Sequence, residues 1–275
     1  MKSWVIYGFD RVTVWLDHPE LLLAVINLLR AHCTRVVVSF EQMPHNARWK
    51  LKVEIYQPTV ECLVRLAEAL GTNIAALVTY VEIARDIPAR SRSRARQWRN
   101  SLLQSAKMKS LHHPVRRKLT TWYYGPRSDA NGRRSKVLVV YADRPSKLNN
   151  ARPPTGTPPD LHTELRCTGS AVLADLGIVT LDDLIHFDHQ KFWNEHLCLY
   201  RLPKPTDLGR LLAKIAGTDP NVSGSALRNR SAKWRKEHSK VGIFIMHNAL
   251  RSTPQLAKYL RKVSFPEWLQ ETVLE

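Results

Sequence analysis

In the segment RWKLKVEIY, Trp49, Leu51, Val53 and Ile55 alternate with Lys50, Lys52, Glu54 and Tyr56. Side chains alternate sides along a strand, so this spacing puts the large apolar groups on one face and leaves the other face wet. A half-wet strand belongs to an antiparallel sheet packed on one side, because parallel sheets bury both faces. Strands are also expected over Trp4 to Leu16, Arg35 to Phe40, LVTYVEIARDI (77 to 87), Leu119 to Tyr124, Lys136 to Ala142 and Leu161 to Thr168. Helices are expected over Pro19 to His32 and from Pro58 to Leu70, the second opened by Pro58-Thr59 and stopped by Gly71. Asn131-Gly132 marks a hairpin turn, and RPSKLNNARPPTGTPPD, rich in Pro and Asn, reads as a flexible loop.

After Gly169 the texture becomes helical, with segments at 170–176, 181–187, 190–198, 207–215, 225–238, 240–250 and 254–263. The expected fold class is therefore α+β. An antiparallel β-sheet with flanking helices fills residues 1–202, and a basic helical C-terminal segment fills 203–275.

The 275 residues carry 42 Lys plus Arg against 24 Asp plus Glu, a net charge of +18, which calls for a polyanionic partner. With 44% apolar residues the chain can bury a real core. The run LLLAVINLL (21 to 29) is far shorter than the roughly 20 residues of a membrane span, so no membrane association is expected. Asp10 and Arg11 interrupt the start before a hydrophobic leader could form, which leads us to expect a cytoplasmic protein. Cys33, Cys62, Cys167 and Cys198 stand singly, without the paired spacing of a zinc site or the density of a disulfide scaffold. No glycine-rich phosphate loop of the nucleotide-binding kinds is present.

Polar groups occupy strand positions that a core strand would leave apolar. On the expected strand 77–87, Val78, Tyr80, Glu82, Ala84 and Asp86 share a face; Glu82 and Asp86 lie about 13 Å apart at ~3.3 Å per residue, too far for one metal ion. His162, Glu164 and Arg166 share a face of the strand 161–168, and Val137, Val139, Tyr141 and Asp143 share one of the strand 136–142. On spacing alone each carboxylate is more often a solvated or ion-paired residue than a functional one, and a strand-end tyrosine more often a packing residue.

The order of these segments raises the functional reading. YVEIARD is followed by YYGPRSDANGRRS, then KVLVVYADRPSK, then HTELRC, then the helical SAVLADLGIVTLDDLIHF. Over about residues 75 to 200 this succession resembles the replication initiation proteins of filamentous phages and related rolling-circle plasmids, the replication initiation factor or Rep trans type. The resemblance implies a nicking and joining endonuclease whose tyrosine attacks an origin phosphodiester, keeps the 5′ phosphate as a phosphotyrosine and frees a 3′ hydroxyl for synthesis. It places the nucleophile in KVLVVY, at Tyr141, with Tyr124 the strongest rival and Tyr123 and Tyr80 nearby. It makes Glu82 and Glu164 ligands of Mg²⁺ or Mn²⁺, with His162 able to join them. The chain departs from the pattern at Tyr80, where a basic residue is usual, and after Tyr141, where the usual Lys is missing from YADRPSK. The His-hydrophobic-His metal motif of the other rolling-circle class does not occur in the sequence.

Phosphate contacts are expected from Arg127, Arg133, Arg134 and Lys136, which border the hairpin leading to Tyr141, and from Arg166. From Arg90 to Lys118 there are 10 basic and no acidic residues, with Trp98 available for base stacking. Between Lys204 and Lys262 basic residues outnumber acidic ones 13 to 3, and ALRNRSAKWRKEH resembles a basic helix for duplex DNA. The implied partners are single-stranded or supercoiled double-stranded DNA at a replication origin and host replication proteins, in a bacterial cytoplasm. Two rivals remain open: a non-catalytic DNA-binding regulator with the same basic surface, and an RNA-binding protein.

Overall fold

The computed structural model describes residues 5–21, 23–44, 46–108, 115–125, 135–201, 204–238 and 261–274. In chain order the elements are β1 (Ile6–Leu16), α1 (Leu23–Ala31), β2 (Arg35–Ser39), β3 (Leu51–Tyr56), α2 (Val60–Leu70), β4 (Ala76–Ile87), α3 (Arg92–Ser105), β5 (Ala106–Met108), β6 (Val115–Lys118), β7 (Thr121–Tyr124) and β8 (Ser135–Tyr141). They continue with β9 (Leu161–Thr168), α4 (Ser170–Ala174), α5 (Leu181–Ile185), α6 (His189–His196), β10 (Leu197–Arg201), α7 (Pro205–Ile215), α8 (Gly224–His238), β11 (Arg261–Val263) and α9 (Phe265–Leu274). The fold is α+β. Its larger sheet has eight strands in the order β2-β3-β1-β4-β9-β8-β7-β6, antiparallel at every pairing whose register is described.

The alternation in β3 is realised: Leu51, Val53 and Ile55 are buried, and Lys52, Glu54 and Tyr56 are half-buried. Their face continues through Val12, Val14 and Leu16 of β1 and Val81 and Ile83 of β4, each fully buried. Helices α1, α2, α4 and α5 pack here, α1 on α2, α2 on α5, and α4 and α5 on β4. The α2 start matches its sequence signal, with the Thr59 side chain accepting from the Cys62 N–H.

Two irregularities reset the faces. The β1–β4 register passes from Phe9↔Ile83 to Arg11↔Glu82, leaving Asp10 as the extra residue of a β-bulge. It passes from Thr13↔Tyr80 to Val14↔Val78, so Thr79 bulges in β4. Val78 therefore sits with Val14 on the apolar face instead of beside Tyr80 and Glu82 as strict alternation predicts.

The segment between β8 and β9, expected to be flexible, is tied down by side chains that replace regular backbone pairing. The Ser146 N–H donates to Asp160, whose own N–H donates to the Arg144 carbonyl. Asn149 donates through its amide to the Tyr7 carbonyl and Asn150 to the Ala31 carbonyl. Both asparagines have positive φ (54° and 59°), a conformation asparagine tolerates, and Leu148 between them and the strand end is buried.

The chain divides into two compact units, residues 1–96 with 118–190, and residues 97–117 with 191–275. Against a boundary expected at 202, the second unit also takes in 97–117 and 191–202. The first unit holds β1–β4 and β7–β9 of the larger sheet. The second is not helical throughout: β5 and β11 both pair with β10 in a small antiparallel sheet. The strand β11 lies within the range 254–263 expected as helix, whose residues 254–260, like the helix expected at 240–250, fall outside the described residues. Within this unit the Trp268 indole donates to the Ser105 hydroxyl at 2.9 Å. Helices α7 and α8 pack through Leu208 and Trp234. Gly209 lets their backbones meet, since a Cβ there would lie 2.1 Å from the Leu227 carbonyl oxygen. Among the described residues, no helix is long and apolar enough to cross a membrane.

Candidate active site

The sheet face opposite α1 and α2 gathers polar side chains in rows set by strand register. One row runs Asp86–His162–Tyr141 across β4, β9 and β8; the next runs Ala84–Glu164–Val139, and the next Glu82–Arg166–Val137. The small Ala84, fully buried, leaves space beside Glu164. Glu82, Asp86, His162 and Glu164 are all at least 95% buried, where an uncompensated charge is costly.

Compensation is specific. His162 sits between two carboxylates, its Nδ1 2.5 Å from Asp86 Oδ1 and its Nε2 2.9 Å from Glu164 Oε2. Burial disfavours the imidazolium, but the charges of Asp86 and Glu164 outweigh it and raise the His162 pKa to about 10. The other Glu164 oxygen accepts from Arg166 Nε at 2.6 Å. Glu82 accepts from Arg11 at 3.1 Å and from the Tyr80 hydroxyl, and lies 3.3 Å from Arg166. Burial raises the Glu82 pKa, and the two guanidinium groups oppose that shift.

Asp10 enters this group from the bulge. Gln57, at the end of β3 with φ of 45°, holds it by three contacts: its N–H donates to the Asp10 carbonyl, and its side-chain amide donates to that carbonyl at 3.1 Å and to Oδ1 at 2.6 Å. Ligand atoms of Asp10, His162 and Glu164 lie within 4.8 Å of one another, a metal-compatible cluster among the described residues. Two carboxylates and an imidazole suit Mn²⁺ or Mg²⁺. Asp86, on Nδ1 of His162, stands where a carboxylate would fix the ring if Nε2 met a cation.

Tyr141 forms the wall of this cluster. Its ring stacks on His162 with centroids 4.2 Å apart and planes at 19°, and Arg144 lies over the ring at 4.4 Å. Burial raises the Tyr141 pKa strongly, the negative charges of Glu164 and Asp10 raise it further, and Arg144 opposes them. Tyr141 lines a cavity of about 40 Å³ with Asp10, Gln57, Asp86, His162 and the loop residues 144–147.

Of the residues singled out from the sequence, Tyr141, His162 and Glu164 are brought together. Glu82 shares their face and contacts the Asp10 side chain at the edge of the cluster, where Arg11, Arg166 and Tyr80 also engage it; the converging ligand atoms are those of Asp10, His162 and Glu164. Tyr124 pairs with Leu138, on the opposite face from Tyr141, and its burial pushes its pKa up to about 12. Tyr123, paired with Val139, is on the site face and packs with Val137, Val139 and Tyr141. Arg166, expected at DNA, is committed to Glu164 and Glu82. Lys136 pairs with Cys167 and so faces away from the cluster. Arg127, Arg133 and Arg134 lie outside the described residues. Sequence reasoning missed Asp10, Gln57 and Arg144. The signal for Asp10 was the adjacent pair Asp10-Arg11 inside an otherwise apolar strand, a break of period two that a bulge resolves.

No protein-family model matches the chain, and no curated protein matches it in sequence. In structure it is similar to a rolling circle replication initiator protein from Geobacillus stearothermophilus, with 11% identity and a TM-score of 0.36 over 83% of this chain and 97% of that chain.

Proposed function

We propose that the chain initiates rolling-circle replication by nicking one strand at an origin through Tyr141 and later rejoining it. The observation that carries this reading is the convergence on one sheet face of a cavity-lining tyrosine with a three-residue, metal-compatible cluster. The order of motifs in the sequence, read as a resemblance to phage and plasmid initiators, supports it independently.

In the step proposed, the Tyr141 oxygen forms a bond to phosphorus and the bond from phosphorus to the 3′ oxygen breaks. The 5′ phosphate stays on the tyrosine. The phenol gives up its proton as it attacks, and the departing 3′ oxygen takes one up, so charge and protons balance. Rejoining is the reverse. Asp10, His162 and Glu164 are the residues that would hold Mg²⁺ or Mn²⁺, which when bound neutralises phosphate charge and the field that holds the phenol protonated. His162 orients the Tyr141 ring by stacking, Asp86 fixes the His162 ring, and Gln57 fixes Asp10. Arg166 holds both Glu164 and Glu82, and Arg11 holds Glu82, through ion pairs in a buried setting. The partners proposed are origin DNA, single-stranded or supercoiled, and host replication proteins, in a bacterial cytoplasm.

The test uses single-stranded oligonucleotides tiled across the genome that encodes the chain, with Mn²⁺ or Mg²⁺, resolved on a denaturing gel. A protein–DNA adduct that is lost in EDTA and in Tyr141→Phe is the expected result. Salt-sensitive binding with no adduct, on the tiles and on supercoiled plasmid alike, would favour a non-catalytic DNA-binding regulator.

A further inference from the structure

We propose that Arg144, with Lys147 beside it on the same anchored loop, is the phosphate-binding arm of the Tyr141 site and grips a non-bridging oxygen of the scissile phosphodiester. This rests on the reading of Tyr141 as the nucleophile. The cavity wall is chemically divided. Asp10 and Asp86 line it with Gln57, His162 and Tyr141, and the loop 144–147 adds Arg144 and Lys147. A phosphodiester carries one negative charge and would be repelled by the carboxylate side alone, so the cationic loop is the part that can receive it.

The position of Arg144 suits that task in three respects. Its side chain is exposed at the residue level, and its guanidinium lies 4.4 Å from the Tyr141 ring centroid and hydrogen-bonds the Tyr141 side chain, which places it at the reacting hydroxyl. A guanidinium placed over an aromatic face keeps N–H donors at its edge for phosphate oxygens, which a lysine ammonium matches less well. The loop is held before any ligand arrives: the Arg144 carbonyl accepts from the Asp160 N–H, Ser146 donates to Asp160, and the buried Leu148 donates to the Ser146 hydroxyl. Asn150 then donates to the Gln57 carbonyl, and Gln57 itself holds Asp10. Cationic arm and acidic cluster are thereby fixed to one another through a short chain of hydrogen bonds, the preorganisation that electrostatic stabilisation of a transition state requires.

The test compares wild type with Arg144→Gln and Arg144→Lys in single-turnover adduct formation on an oligonucleotide containing the nick site. The scissile position carries either the native phosphodiester or one of the two methylphosphonate diastereomers, each of which replaces a different non-bridging oxygen with methyl. We expect Arg144→Gln to slow the native substrate about 100-fold, in the range found for loss of one transition-state donor. We also expect the penalty for one diastereomer to fall at least tenfold in that variant, with Arg144→Lys retaining part of the discrimination. Penalties for both diastereomers that are the same in wild type and Arg144→Gln would overturn the assignment of Arg144 while leaving Tyr141 in place. Failure of wild type to form any adduct on the native substrate would overturn the nucleophile reading, and this proposal with it.

Discussion

Asp86 makes its contribution through another residue. Its carboxylate holds His162 Nδ1, leaving Nε2 directed at Glu164 and at the position a cation would take. Losing an outer-shell carboxylate of this kind costs roughly 10–100-fold in metal affinity. We expect Asp86→Asn to weaken Mn²⁺ binding by that factor, read by titration of the free-ion paramagnetic resonance signal; an unchanged affinity would separate His162 from the cation site. A second histidine sets a pH limit. His189 packs against Phe9 and Phe187 at 4.5 and 4.9 Å between ring centroids, and burial lowers its pKa to about 4, against a small opposing effect of Asp188. Between about pH 6.5 and 4 the unfolded chain protonates this histidine and the folded chain does not, so the unfolded state binds more protons. The contribution of this histidine to stability is full above pH 6.5 and falls as pH drops toward 4. The expected result is that His189→Gln flattens this part of the curve of denaturation midpoint against pH; an unaltered slope would place the titration elsewhere.

At the scale of elements, regular strands were legible and their faults were not. The period-two run in β3 and the β-branched segments of β4, β8 and β9 fall within a residue or two of where the sequence puts them, because burial of one face forces that alternation. Tyr141 and Glu164 were singled out by the resemblance to phage and plasmid initiators, with His162 beside them, and strand register puts all three on one face. Asp10 and Val78 were misplaced because a bulge changes which face a residue occupies, and its position depends on the partner strand. The loop after β8 reads as flexible because its order comes from long-range side-chain bonds, Asn149 to Tyr7 and Asn150 to Ala31, that composition does not encode. In the second unit, the close approach of α7 and α8 turns on Gly209. Gly209→Ala must push backbone apart, at a cost of about 1–3 kcal/mol. Thermal unfolding should show the loss, and an unshifted midpoint would mean that α7 and α8 separate without penalty.

For the whole molecule, the +18 charge is the dominant fact. The cluster on the sheet is acidic and largely neutralised by its own arginines, so the excess positive charge is left for a polyanion. Each phosphate neutralised contributes about −0.7 to −0.9 to the slope of log affinity against log salt. We expect a slope steeper than about −3 for DNA, measured by anisotropy across a salt series, and a flat response would contradict binding through the basic surface. On the function proposed, chemistry would draw on a few groups on one sheet face and the loop beside them, and affinity mainly on charge spread along the chain. The central claim concerns one atom, the Tyr141 hydroxyl oxygen. The most direct measurement is peptide mapping by mass spectrometry of the covalent adduct, after nuclease trimming of the DNA. We expect a residual nucleotide 5′ phosphate on the peptide containing Tyr141, absent from Tyr141→Phe. The same mass on Tyr123 or Tyr124, or continued nicking by Tyr141→Phe, would contradict it.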